Sequence, residues 1–329
     1  MIRKFIVIFF VFLIACCLLP VANSFSWGFF AHKKINRMAV FTLPPEMIGF
    51  YKKHIDYISE HAVDPDKRRY ANSDEGPRHY IDCDHYGQHP FDSIPKLWSK
   101  AVAKYSEDTL KTYGIVPWHI EKMVSQLSNA FKAENLDKVL HLSADLGHYI
   151  GDAHVPLHTP ENYNGQLTNQ KGIHGFWESR IPELKSDTYD YFTGRAKYID
   201  KVNDAVWKMV QESYNAKDSV LLFEAELNSK FPADKKYVYE SRGNKTTKVY
   251  SEEYTNEYDK MLNGMVERRM RGAIISVGNI WYTAWVNAGQ PDLSRHDKKE
   301  VSDSLKAVHK TEEEMLKTGK DKEVKGHDD

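Results

Sequence analysis

Cysteine is scarce in this chain of 329 residues: Cys16, Cys17 and Cys83 are the only three, and none sits at CxxC spacing or near the main group of histidines. That excludes a disulfide scaffold and a thiolate zinc finger. Excess charge is absent too, with 45 basic against 46 acidic residues and a formal net charge of −1, so the basic footprint of a dedicated duplex-DNA binder is missing. There is no glycine-rich phosphate loop, no GxSxG elbow and no internal repeat, which removes P-loop enzymes, α/β-hydrolases and solenoids from consideration.

Long apolar runs are lacking except at the start, where MIRK is followed by FIVIFFVFLIACCLLP and then VANSFSW. A basic beginning, an apolar centre and a small-residue end read as an export signal over residues 1–26. A transmembrane anchor is the competing reading, but the run is short and small polar residues follow it at once. Ser24 and Ser26 stand at the −3 and −1 positions of a cleavage that makes Trp27 the new N-terminus. A free α-amine and its neighbouring carbonyl can chelate zinc, and His32 follows in WGFFAH. LIAC at residues 13–16 resembles a lipobox with Cys16 as the lipidated residue, which would leave extra chain ahead of Trp27. The apolar CCLLPVA favours ordinary cleavage and export without a remaining anchor. Cys83 is then the only thiol, and metal is the main candidate staple.

What the chain has is histidine, fifteen in all, concentrated in HYIGDAHVPLH and GIHGFWE. His148 and Asp152 are four apart, as are His174 and Glu178, so each pair projects from one helix face about one turn apart. One such pair alone reads as a surface ion pair. Two so close together, with His158 between them, read as metal ligands. Imidazole and carboxylate suit zinc, which in catalytic sites keeps a position open for water.

An N-terminal Trp27 with His32, then a lone Asp, then HYID at His79, then HxxxD-x5-H, then HxxxE, resembles the zinc-dependent phospholipase C and single-strand-specific nuclease superfamily over roughly residues 27 to 290. The resemblance implies three zinc ions in one cleft. It puts Asp64, His79, His148 and Asp152 on the first, His158, His174 and Glu178 on the second, and the Trp27 amine and carbonyl with His32 and a shared Asp152 on the third. Asp64 is preferred as the lone Asp, and Asp66, across Pro65, is its rival. Lys67, a catalytic candidate beside Asp64, occupies the place of a basic residue that follows this step in the nucleases; a solvated charge is its alternative reading.

Three divalent ions would activate a bridging water, neutralise a phosphate and stabilise a departing oxygen. Asp64, or a carboxylate near it, is also a candidate proton acceptor, weakened by zinc. The resemblance implies an exported phosphodiester hydrolase. HxxxE and the lack of paired cysteines favour a phospholipase C-like enzyme acting on a phospholipid head group, which is the preferred reading; WGFFAH points to the alternative, a nuclease or nucleotidase acting on single-stranded nucleic acid. A non-catalytic zinc-binding protein is the remaining class, and no stable protein partner is implied. Phe29, Phe30, Tyr80, Tyr86, Tyr163, Phe176 and Trp177 are candidates to line the cleft or simply to fill the core. A base-sized aromatic slot would favour nucleic acid; a shallow apolar rim would favour lipid.

The fold class expected is all-α, one helical domain over 27–292 around the zinc cleft, because residues 94–111, 118–133, 135–152, 198–213 and 257–287 space apolar residues at three and four. Pro44 and Pro45 open a helix that delivers the loop bearing Asp64. The Asn-, Gln- and Gly-rich stretch between His158 and His174 reads as a loop bordering the cleft, and residues 236–250 as a small β-hairpin. Residues 293–329 are almost entirely charged and read as a disordered tail, or at most a solvated helix. His54, His61, His85, His89, His119, His141 and His154 have no place in the ligand pattern, although His141 and Asp145 share the face of His148 and could orient ligands.

Overall fold

The computed structural model describes residues 28–242, 245–296, 300–318 and 327; Trp27, the expected signal and Cys16 lie outside them. Among the described residues the fold is all-α apart from one antiparallel hairpin, β1 (Tyr237–Arg242) with β2 (Lys245–Tyr250), within the span expected for it. The helices that build and frame the cleft are α1 (Phe29–Val40), α2 (Asp64–Arg69), α3 (Val116–Lys132), α4 (Leu136–Asp152), α5 (Val202–Lys230), α6 (Glu252–Leu262), α7 (Met265–Asn287) and α8 (Asp303–Thr318). Among the described residues, no helix is long and apolar enough to cross a membrane.

Helix α4 is the axis. Asn135 caps it by accepting from the Lys138 amide, and every residue from Leu142 to Asp152 is buried. A helix apolar on one face only could not be so enclosed; α4 is surrounded by α3, α7 and α1. Two of its glycines let α1 come close. A Cβ on Gly147 would lie 2.0 Å from Asn36 Oδ1, and one on Gly151 would lie 3.0 Å from the His32 ring. Asn36 uses that closeness to donate to the backbone carbonyls of Ala144 and Ile58 at 3.0 and 3.2 Å. One turn before Gly147, Tyr51 and Trp281 stack at 5.0 Å and bond to Ser143 through its hydroxyl and carbonyl.

The expected helices exist with shifted ends. The 94–111 pattern is two helices split at Ser106, whose φ of 72° interrupts the ladder, and the 257–287 pattern divides at Asn263 and Gly264, both left-handed. Helix α5 runs on to Lys230, well past the expected end. Where the sequence suggests disorder or a solvated helix beyond 292, α8 docks on α2 and buries Leu305 and His309.

Candidate metal centre and base slot

Four segments converge at the C-terminal end of α4. Helix α1 brings His32, α2 brings Asp66, the extended stretch after residue 78 brings His79, and α4 itself brings His148 and Asp152. The backbone of residues 79–83 runs beside 158–159, with Ile81 N donating to His158 O at 2.9 Å and Cys83 N to Thr159 O at 2.8 Å. This places His158 next to the cluster. His174 and Glu178 follow on a short helical turn that widens into a π-helix over Phe176–Arg180, the kind of local expansion found at functional sites. Gly28 N donates to Ser179 Oγ at 3.0 Å, anchoring the start of the described chain beside Glu178.

The distances describe two linked centres. In the first, Asp152 Oδ2 lies 3.0 Å from His79 Nδ1 and 3.2 Å from His148 Nε2, and Asp66 Oδ1 lies 3.5 and 3.7 Å from His148 and His79. His32 Nε2 approaches the other oxygen of Asp152 at 3.4 Å. In the second, Glu178 Oε2 lies 3.1 Å from His174 Nε2 and 3.5 Å from His158 Nε2. His158 Nε2 stands 3.9 Å from Asp152 Oδ1 and joins the two.

Ring orientation is set from outside. His148 Nδ1 donates to the Ala62 carbonyl at 2.8 Å and His158 Nδ1 to the His79 carbonyl at 2.7 Å, which leaves each Nε2 lone pair aimed inward. Burial pushes the His32 and His79 imidazoles below their ordinary range, so both are neutral and competent to ligate. Burial alone would raise Asp152 and Glu178, but the surrounding imidazoles outweigh it: Asp152 is held well below the carboxylate range and Glu178 at about 2.

Three carboxylates, Asp66, Asp152 and Glu178, are thus enclosed with five imidazoles. Asp152 Oδ1 and both oxygens of Glu178 are buried without a hydrogen bond among the described residues. Such groups are costly in a protein interior unless a cation meets them. The donor set of imidazole nitrogens and carboxylate oxygens fits divalent metal, and the triads His32–Asp66–His148, His79–His148–Asp152 and His158–His174–Glu178 each bring three donor atoms within 4.8 Å of one another.

Asp64, the carboxylate preferred from sequence, lies elsewhere. DPDKRR is a helical turn started by Pro65, so residues two apart point about 200° away from each other at 3.6 residues per turn. Asp66 faces the cleft. Asp64 instead binds His61, Lys67 and His309 at 2.6, 2.7 and 3.1 Å. The same geometry removes Lys67 from the cleft, so neither residue named as catalytic from sequence reaches it. Asp145 accepts from Arg68 at 2.6 Å, and Arg68 lies 3.6 Å from Glu75, whose other oxygen is 3.8 Å from His79 Nε2. His154 donates to Ile150 O and packs on Gly272, outside the centre.

Beside the metal centre is a flat aromatic slot. Tyr80 and Tyr163 sandwich the imidazole of His327, with centroid separations of 3.8 Å on each side and interplanar angles of 21° and 7°. Asp82 Oδ1 meets His327 Nε2 at 2.7 Å, and Arg69 donates to the His327 carbonyl. Tyr163 stands edge-on to His174 at 6.0 Å, so the slot opens next to the second centre. Burial pushes the Asp82 carboxyl up to about 7. Of the other aromatic candidates, Phe176 stacks in the core with Tyr250 and Tyr258, and Trp177 is wholly buried. The partnership of Tyr80, Asp82 and Tyr163 has no sequence signature beyond the HYID step, and the approach of His327 has none.

No curated protein matches the chain in sequence. Among solved structures, alpha toxin from Clostridium absonum is similar over 86% of this chain and 67% of its own, at 14% identity and a TM-score of 0.45. The model of the S1/P1 nuclease family matches residues 27–273. With that match spanning most of the sequence, the chain belongs to the S1/P1 nuclease family and is a phosphodiester-hydrolysing enzyme.

Proposed function

We propose that this enzyme is an exported, zinc-dependent hydrolase of single-stranded nucleic acid or nucleotides, using three zinc ions. The observation that carries the substrate class is the slot between Tyr80 and Tyr163: it accepts one planar ring and offers a carboxylate, Asp82, to that ring's edge. Stacking between aromatic faces retains any base with little sequence preference. The HxxxE form of the second centre is the feature that leans toward a phospholipase, and both it and HxxxD supply the same carboxylate donor.

In this reading Asp66, His79, His148 and Asp152 hold one ion, His158, His174 and Glu178 a second, and His32, Asp152 and the mature N-terminus at Trp27 a third. Bound zinc supplies a water acidic enough to act as nucleophile near neutral pH and charge neutralisation for the phosphate. The protein positions the rest. Glu178 and Asp152, fixed by imidazoles on either side of the His158 bridge, set the spacing of the centres. Tyr80 and Tyr163 fix the base, and through it the phosphodiester, against the second centre. Asp82 accepts from a ring N–H.

Replacing Tyr163 by Ala tests this. The KM for a single-stranded oligonucleotide should rise by about tenfold, given roughly 1–3 kcal/mol per stacked base, with metal content unchanged. An unaltered KM would remove the slot from substrate binding and the nucleic-acid reading with it.

A further inference from the structure

On the outer side of the α2 turn, away from the cleft, a second group of donors gathers between the body and the C-terminal helix. His61 Nδ1 lies 2.6 Å from Asp64 Oδ2, and His309 Nδ1 of α8 lies 3.1 Å from the same oxygen. Glu312, one turn further along α8, places Oε2 at 3.0 Å from His309 Nδ1. The His61 and His309 rings stack at 3.7 Å, and one donor atom each from His61, Asp64 and His309 falls within 4.8 Å of the others. All are sheltered, from Asp64 at 4% side-chain exposure to His61 at 24%.

The outward-facing atoms argue for a site rather than a chance cluster. Lys67 donates to Asp64 Oδ1 at 2.7 Å, the Tyr57 hydroxyl meets His309 Nε2 at 2.7 Å, and Arg68 donates to Glu312 Oε1 at 3.1 Å. Three of the four side chains are therefore held by their far atoms while their near atoms face one another. Metal ligands are oriented by partners in this way. Two imidazoles and two carboxylates are a donor set suited to a four-coordinate divalent cation such as zinc.

We propose that His61, Asp64, His309 and Glu312 form a further zinc site, separate from the cleft, that staples the C-terminal helix α8 to the turn carrying Asp66. Asp64 is then a metal ligand, but of this site. Its occupation does not depend on the cleft being catalytic. The alternative is a metal-free latch in which Asp64 pairs directly with His61 and His309.

The test is metal analysis of the full exported chain after dialysis against buffered zinc. His309→Ala should lower the zinc content by one equivalent and leave the remainder in place, and Tyr57→Phe should weaken that equivalent by about tenfold or more, as loss of an orienting partner does. A protein carrying His148→Ala and Asp152→Asn, which removes shared ligands of the cleft but leaves the His158–His174–Glu178 triad, should still take up zinc that adding His309→Ala lowers by one further equivalent. Chelation of the cleft-disabled protein should also speed proteolytic cleavage on either side of α8. If His309→Ala binds as much zinc as the parent chain in both backgrounds, the group is an ion-paired latch and the proposal is wrong. None of these readouts uses activity, so failure of the nuclease reading would leave them interpretable.

Discussion

Asp64 and Asp66 show how little at the residue scale separates two different surroundings. Both are acidic, both are buried, and Pro65 between them converts a short charged segment into a helical turn that sends one inward and the other outward. Asp66→Asn should therefore lower phosphodiester hydrolysis by at least ~100-fold with loss of bound metal, because it removes a ligand of the cleft. Asp64→Asn should leave hydrolysis within a few-fold of the parent. Steady-state kinetics and metal content on the two variants decide the matter, and the reverse ranking would restore Asp64 to the cleft. Spacing made His148, Asp152, His174 and Glu178 legible, since a period of four on a helix fixes a shared face. It could not resolve neighbours two apart in a segment whose helicity rests on a proline. Nor could it pair Tyr80 with Tyr163, because their meeting depends on the 79–83 segment lying against His158 and Thr159.

At the scale of elements, the cleft depends on how closely α1 and α4 pack. Gly147 and Gly151 are on one face of α4, and their missing side chains are what allow Asn36 and His32 to reach it. Gly147→Ala should destabilise the enzyme by about 2 kcal/mol, since overpacking costs roughly 1–3, and thermal unfolding would register a clear drop. At Gly151 the added methyl meets only the edge of the His32 ring at 3.0 Å, so Gly151→Ala should mainly displace that ring, with a larger loss of activity than of stability. Equal and small effects at both positions would mean that the two helices are not held this tightly. Helical periodicity made most of these elements readable, including α3 and α4 nearly end to end. The breaks at Ser106 and at Asn263–Gly264 were not, because each is a positive-φ kink inside an uninterrupted apolar pattern.

For the whole molecule, the C-terminal segment matters most, and composition was a poor guide to it. A run of charge reads as solvated, yet α8 docks through a few specific ion pairs, and His327 fills the slot assigned above to a base. Removing residues 319–329 should open that slot and lower the KM for single-stranded substrate by about tenfold, comparable to one stacking interaction; an unchanged KM would show that His327 does not compete there. The enclosed carboxylates also tie folding to metal. Chelation should lower the unfolding midpoint by roughly 10 °C, from about 4 kcal/mol of linkage at a thousandfold excess over Kd and roughly 2–4 °C per kcal/mol. An unfolding curve indifferent to chelation would contradict the metal centre itself.

The mature protein beginning at Trp27, assayed on single-stranded DNA and on phosphatidylcholine micelles before and after chelation, distinguishes a metal-dependent cleft for a base and its phosphodiester from one for a lipid head group. Cleavage of the DNA that disappears with the metal and returns with zinc, without comparable lipid turnover, is the result predicted. Chelator-sensitive cleavage of the lipid with the DNA left intact would contradict it.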